Sequence, residues 1–441
     1  MNPALVGALS IPFLLALLIL RVHVALALGV TGFLGLWVIT GKLSTAMGAL
    51  TTTPYTSIAN FAFAVVPLYI LMGSWVAQAG FARDAYKAVQ TWMGRLPGGL
   101  SIATVGANAL FGAACGSSSA ACAVFTKISL PEMRKHGYHK GLAAATIASA
   151  GALAMLIPPS NLMIIYGILT AQSIGALFIA GIIPGLLLAL SFSLTVLILI
   201  RFRPSLVGAA SVTVVKNVGP TWGERLSALR SVWGIVLLII IVLGGIYGGI
   251  FTPTEAGAAG AGAALLLAIF VGRMGLGQLW TSLQDAGRTT AMFFFILITA
   301  QVYAKFLTLS GLPEQAIRWT TELNLPPLGI VLASVLVYLL LGTLMDAISM
   351  MTITLPIIVP IMTSLGQDPI WFGIIAIVAM ELGLITPPFG LDVFVVKAAA
   401  EGEVSTEEIF RHAIPFYVAF LLVLAFIIAV PGLVTWLPKR L

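Results

Sequence analysis

The sequence predicts an all-α polytopic membrane protein. It is made of two inverted-topology repeats, each with a re-entrant helical hairpin and a broken helix. Three observations predict this. Of 441 residues, 60% are hydrophobic and 8% charged, against about 45–50% and about 25% in soluble domains. Apolar stretches long enough to cross a bilayer, about 20 residues, recur along the whole chain. The two halves also share landmarks at a nearly constant offset. So few charges cannot cover the outside of so large an apolar core. A cytoplasmic globular enzyme, a secreted disulfide scaffold and a disordered chain are excluded.

Plain spans are expected near 4–20, 24–40, 56–79, 141–168, 175–200, 231–250, 255–271, 290–309, 370–398 and 411–435. Met1–Leu20 has no basic n-region and no A-x-A site, so it reads as a first span and not a signal peptide. Residues 99–126 and 328–365 are apolar but interrupted by Gly112, Gly116 and Ser117–Ser119, and by Gly342, Thr343, Asp346 and Ser349. Each reads as a re-entrant hairpin, because irregular backbone at membrane depth persists only when buried in protein or lining a wet cavity.

Gly41, Gly80, Gly112 and Pro158-Pro159 recur as Gly272, Gly311, Gly342 and Pro387-Pro388, at offsets of 231, 231, 230 and 229. The Leu130-Pro131 and Leu355-Pro356 steps differ by 225, which implies a loop insertion in the second half. The first repeat is then 1–200, with scaffold spans in 1–79, hairpin 99–126, broken helix 141–168 and a span at 175–200. Residues 201–230 form a cytoplasmic connecting loop. The second repeat is 231–441, with scaffold spans in 231–309, hairpin 328–365, broken helix 370–398 and last span 411–435.

Charge sets the relative orientation. Segment 127–140 carries Lys127, Arg134, Lys135 and Lys140 against Glu132, while its counterpart 366–369 holds only Asp368. Segment 80–98 is net basic and 310–326 net acidic. Positive loops stay inside, so equivalent elements face opposite sides and the N-terminus falls outside. The acidic loop 399–410 also falls inside, against that rule. The net charge of +7 comes without a dense Lys/Arg run, so nucleic acid is not a partner. Cys115 and Cys122 read as packing residues. His136 and His139 read as part of a basic loop.

Inverted repeats with broken elements mark a secondary transporter, with ion and substrate sites at the breaks. In the first half, Pro158-Pro159 forces an unwound segment that frees the carbonyls of Ile157 and Pro158. Ser117, Ser118, Ser119, Ser160 and Asn161 add side-chain oxygens. Together they suit Na⁺ with no carboxylate. In the second half, Thr386 and the carbonyls of Gly342, Gly383, Thr386 and Phe389 suit a second Na⁺. Asp346, Glu381 and Asp392 are the ionisable groups of this core, with Thr343 beside them. Each acid could bind a cation, carry a proton or cap a helix end. Lys305 and Lys397, near span ends, read as snorkelling.

The strings Gly112-Ala-Ala-Cys-Gly-Ser-Ser-Ser-Ala120, Leu130-Pro-Glu-Met-Arg-Lys-His-Gly-Tyr138, Leu156-Ile-Pro-Pro-Ser-Asn161, Gly181-Ile-Ile-Pro-Gly185, Thr252-Pro-Thr-Glu-Ala-Gly-Ala258, Gly342-Thr-Leu-Met-Asp-Ala-Ile-Ser349, Asp368-Pro-Ile-Trp-Phe-Gly373 and Leu384-Ile-Thr-Pro-Pro-Phe-Gly-Leu391 resemble the large membrane subunit of tripartite ATP-independent periplasmic (TRAP) transporters. The resemblance runs through essentially the whole chain. It implies an elevator mechanism in the bacterial inner membrane. It implies inward Na⁺ flow coupled to uptake of a carboxylate, and no cofactor. It also implies a periplasmic substrate-binding protein and a small four-span membrane subunit, expected as a separate chain. By position it implies Ser117 or Ser118, Pro158 and Ser160 at one Na⁺ site, and Gly342, Gly383, Thr386 and Phe389 at the other.

Two rivals remain at this level. A stand-alone dicarboxylate symporter would need no binding protein. An intramembrane aspartyl protease would use Asp346 and Asp392 as an acid pair, but leaves the repeat unexplained.

Overall fold

A computed structural model describes residues 2–208, 220–272, 274–322 and 326–440. Parts of the connecting loop 201–230 and of segment 310–326 lie outside the described residues. The first half comprises α1 (Pro3–Ile19), α2 (Val24–Thr40), α3 (Leu43–Ile58), α4 (Val65–Gln78), α5 (Phe81–Met93), α6 (Gly99–Cys115), α7 (Ser118–Lys135), α8 (Lys140–Leu156), α9 (Asn161–Thr170) and α10 (Ile174–Phe202). The second comprises α11 (Trp222–Ser231), α12 (Trp233–Tyr247), α13 (Pro253–Phe270), α14 (Leu276–Ser310), α15 (Leu312–Glu322), α16 (Pro327–Gly342), α17 (Ala347–Ser364), α18 (Pro369–Leu384), α19 (Leu391–Ala399) and α20 (Thr406–Ala429). Six helices are long and apolar enough to cross a membrane alone, among the described residues.

The order of elements repeats. The hairpin helices α7 and α17 each run 18 residues, and each carries a proline thirteen positions after its start, Pro131 and Pro360. Pro131 therefore corresponds to Pro360 and not to Pro356, and no loop insertion is needed. The expected spans differ from the helices in four places. Residues 43–58 form a helix that hydropathy alone passed over, because Thr and Ser dilute it. The span expected at 290–309 extends back to Leu276. The connecting loop contains α11, started by a Thr221–Glu224 capping box. Finally, α5 and α15 are amphipathic helices in segments read only as charged loops.

Burial follows composition. The broken helices α8 and α18 are apolar on all sides, and almost every residue from Gly141 to Ala154 and from Trp371 to Leu384 is buried. Such helices belong in the middle of a bundle. Outer helices instead expose large side chains, Leu190 by 67% and Leu422 by 66%. That surface requires lipid, since a water-soluble protein would leave no such stripe open.

Contacts sort the loops into two sets. In one, Arg225 lies between the rings of Trp92 and Trp222. Arg134 pairs with Glu403, Lys140 with Glu408 at 3.2 Å, and His139 stacks on His412. The His139 N–H donates to the Leu206 carbonyl. The acidic 399–410 loop thus lies against the basic loop, whose charges offset its own. In the other set, Gly7 abuts Ser310 and Leu312. The Tyr166 hydroxyl donates to the Pro369 carbonyl, and Trp371 donates to the Ile427 carbonyl. The long helices α10 and α20 connect the two sets. Lys305 donates to the Thr53 hydroxyl at 2.8 Å, tying α14 to α3, a role that snorkelling did not anticipate.

Both native cysteines are buried, so introduced thiols can be read against a low background. Cysteines replacing Arg95 and Arg318 are expected to react with an impermeant maleimide from opposite sides of the membrane. Labelling of both from one side would contradict this loop arrangement.

Candidate ion and substrate site

Each broken helix meets the tip of the hairpin in its own half. In the first half, α6 ends at Gly116 in the left-handed conformation (φ 63°), and Ser117 caps α7 by accepting from the Ala120 N–H. Helix α8 stops at Ile157, which is extended (φ −85°, ψ 121°), and α9 restarts after Ser160. The two segments bend by 44°. A side chain at Gly116 would stand 3.2 Å from the Pro159 carbonyl and 3.3 Å from the Asn161 nitrogen. Glycine is therefore required for conformation and for space. Ser160 accepts from the Met163 N–H and donates to the Met155 carbonyl. No hydrogen bond reaches the carbonyls of Ile157, Pro158 or Pro159 among the described residues.

The second half repeats this with different chemistry. The tip runs from Gly342 to Asp346, and the break from Ile385 to Gly390. A Cβ on Gly342 would lie 2.6 Å from the Gly383 Cα, so the two backbones are in contact. The Thr386 hydroxyl donates to the Leu382 carbonyl at 2.7 Å, and its N–H to Gly383. The carbonyls of Thr386, Pro387, Pro388 and Phe389 receive no hydrogen bond among the described residues. The Phe389 ring is 54% exposed, so only its backbone can contribute. Both Pro-Pro bonds are cis.

Asp346 occupies the position of Ser117, at an offset of 229. It caps α17, accepting from the Ser349 N–H at 3.1 Å and from the Ser349 hydroxyl at 2.5 Å. Thr343 donates to the Leu340 carbonyl. Asp392 does not face Asp346. It faces Glu381, with Ser118 and Ser119 from the first tip beside it. The acid pair on which a protease reading rests is therefore not assembled.

That cross-half cluster is what sequence reasoning missed. It grouped Ser118 with the first break, whereas the structure turns Ser118 and Ser119 toward the second. One signal was available. By repeat register, Glu381 corresponds to Ala152 and Asp392 to Met163, so neither acid serves the shared framework.

A cavity of about 330 Å³ lies between the tips and the flanking helices α4 and α14. Ser117 and Asn161 line it from the first break, Ile348 from the start of α17, and Ser74, Gln78, Asp285 and Thr289 from α4 and α14. The starts of α7, α9 and α17 all adjoin it. The flanking residues were legible as polar pairs four apart on apolar helices, 74/78 and 285/289. The Gly181-x-x-x-Gly185 pair lets α10 approach the break. Side chains there would stand 2.7 Å from the Leu156 carbonyl and 2.6 Å from Ile157.

The chain is an all-helical multi-span membrane protein with broken helices, and its family is one of transport components and not of enzymes. The family model described as "Tripartite ATP-independent periplasmic transporter, DctM component" matches residues 11–433, and the chain belongs to that family. It is 37% identical to the C4-dicarboxylate TRAP transporter large permease protein DctM of Pseudomonas aeruginosa, over 87% of each chain. It is 32% identical to the isethionate TRAP transporter permease protein DctMQ of Oleidesulfovibrio alaskensis, over 94% of this chain and 64% of that one. The fold also resembles the YdaH transporter of Alcanivorax borkumensis, with a TM-score of 0.58 and 18% identity over 88% and 89% of the two chains.

Replacing Gly342 with alanine forces a Cβ into backbone that cannot yield. Overpacking of this kind costs about 1–3 kcal/mol. The variant is expected to show a lower Tm in detergent, whereas Gly262→Ala, which meets nothing within 4 Å, is expected to melt with the wild type.

Proposed function

We propose that this permease takes up an organic acid by coupling to inward Na⁺ flow, with Na⁺ held at the two Pro-Pro breaks. The observation that carries the reading is the pair of breaks, each with carbonyls left free and each facing the hairpin tip of its own half. A free carbonyl inside a membrane protein costs about 1–3 kcal/mol, and a bound Na⁺ removes that cost. Ser117, Ser160 and Asn161 with the Ile157 and Pro158 carbonyls make the first site. Thr386 with the Gly342, Gly383 and Phe389 carbonyls makes the second.

The carboxylate binds in the cavity between the tips. Helix N-termini carry partial positive charge and unpaired N–H groups, and three of them adjoin that cavity. They stand in for an arginine clamp. The halves are inverted repeats, a reading supported by the two loop sets. Both hairpins and broken helices move together as an elevator against a scaffold that includes α1, α2 and α14, whose small core is separate from the main one. A periplasmic binding protein delivers the substrate, and a four-span subunit covers part of the lipid-facing scaffold. The permease sits in the bacterial inner membrane with its N-terminus in the periplasm and the basic loops inside.

Uptake is measured in proteoliposomes holding all three components. Ser117→Ala and Thr386→Ala are each expected to raise the Na⁺ concentration for half-maximal uptake while leaving the protein folded. An unchanged Na⁺ dependence in both variants would remove the site assignment.

A further inference from the structure

Two carboxylic acids lie in the protein interior, Glu381 in the last turn of α18 and Asp392 in the first turn of α19. Glu381 is 1% exposed and Asp392 0%. Both oxygens of Glu381 and Oδ2 of Asp392 make no hydrogen bond among the described residues. Asp392 Oδ1 accepts from the Ser119 hydroxyl at 2.9 Å, and Ser118, 1% exposed, faces both acids. The sulfur of Cys122 also faces the pair from α7. Among the described residues, no Lys, Arg or His forms an ion pair with either acid.

The two acids are not equally provided for. Asp392 is the second residue of α19, where the helix N-terminus stabilises negative charge, and it has the Ser119 hydroxyl. Glu381 lies in the last turn of α18, where the helix end is itself negative. Ser118 is the hydroxyl nearest to it, and neither of its oxygens makes a hydrogen bond of ordinary geometry among the described residues. Two carboxyl oxygens of Glu381 are therefore left unsatisfied at a fully buried position, and a buried unsatisfied polar group costs about 1–3 kcal/mol. Hard oxygen donors meet here: two carboxyl groups and two serine hydroxyls. They come from two elements that the breaks do not join, the first hairpin tip and the second broken helix.

We propose that Glu381, Asp392 and Ser118 form a further Na⁺ site, bridging the first hairpin to the second broken helix. It differs from both Pro-Pro breaks in using charged ligands. A Na⁺ here neutralises Glu381 and clamps the two halves of the moving core together. The choice of Na⁺ over another hard cation rests on the sodium-coupled reading above.

Equilibrium binding of radiolabelled sodium to the purified wild-type permease needs neither substrate nor partners, so it separates the two claims. Glu381→Gln is expected to bind one Na⁺ fewer per chain at saturation. Asp392→Asn keeps shape and removes charge in the same way, and serves if Glu381→Gln does not fold. A folded Glu381→Gln or Asp392→Asn protein that binds as many Na⁺ ions as wild type overturns this site and leaves the breaks untouched. Competition for the same sodium by millimolar calcium, but not by potassium, would overturn its assignment to a monovalent ion. Wild-type protein that binds no sodium at all overturns the coupled reading itself.

Discussion

A backbone carbonyl in hydrocarbon has no water to turn to, and the rest of this structure is arranged around that constraint. Two Pro-Pro steps deny the chain a continuous helix at two interior points. Three features are forced by those steps. The broken helices must sit at the centre, so they are apolar on every side. Something must approach each break closely, so each hairpin tip is glycine-rich. Gly342 lies directly on Gly383, and Gly116 lies on Pro159 and Asn161. Helices behind the breaks must also come near, and Gly181 and Gly185 allow α10 to do so.

Much of this was legible because the constraint writes itself into rare residues. Paired prolines and interrupted apolar runs pointed to broken helices, and the helices are interrupted at both Pro-Pro steps. Helices failed to show where hydropathy is the wrong signal. Residues 43–58 are diluted by hydroxyl side chains that bond back to their own helix, as Thr52 and Thr56 do. Helices α5 and α15 bury one face only. The mistaken proline pairing arose because the second half has two candidates, Pro356 and Pro360, and only helix length separates them.

The site was legible by half. Residues that belong to a break could be assigned to it, because the break is local in sequence. Contacts between halves could not, since no periodicity links Ser119 to Asp392. The family motifs gain separate physical accounts. Thr252-Pro-Thr-Glu255 is a capping box with proline at the first turn. Leu130–Tyr138 supplies Arg134, which pairs with Glu403 across the halves. Asp346 caps a helix, and in doing so marks the place where the two halves differ, serine in one and a carboxylate in the other.

The central claim is that free carbonyls at both breaks are ligands for sodium. The most direct test is a high-resolution map of the permease in sodium, compared with one in choline. The account predicts sodium-dependent density against the carbonyls of Ile157 and Pro158, and against those of Thr386 and Phe389. Two identical maps, with those carbonyls hydrogen-bonded to protein or water in both, would contradict it.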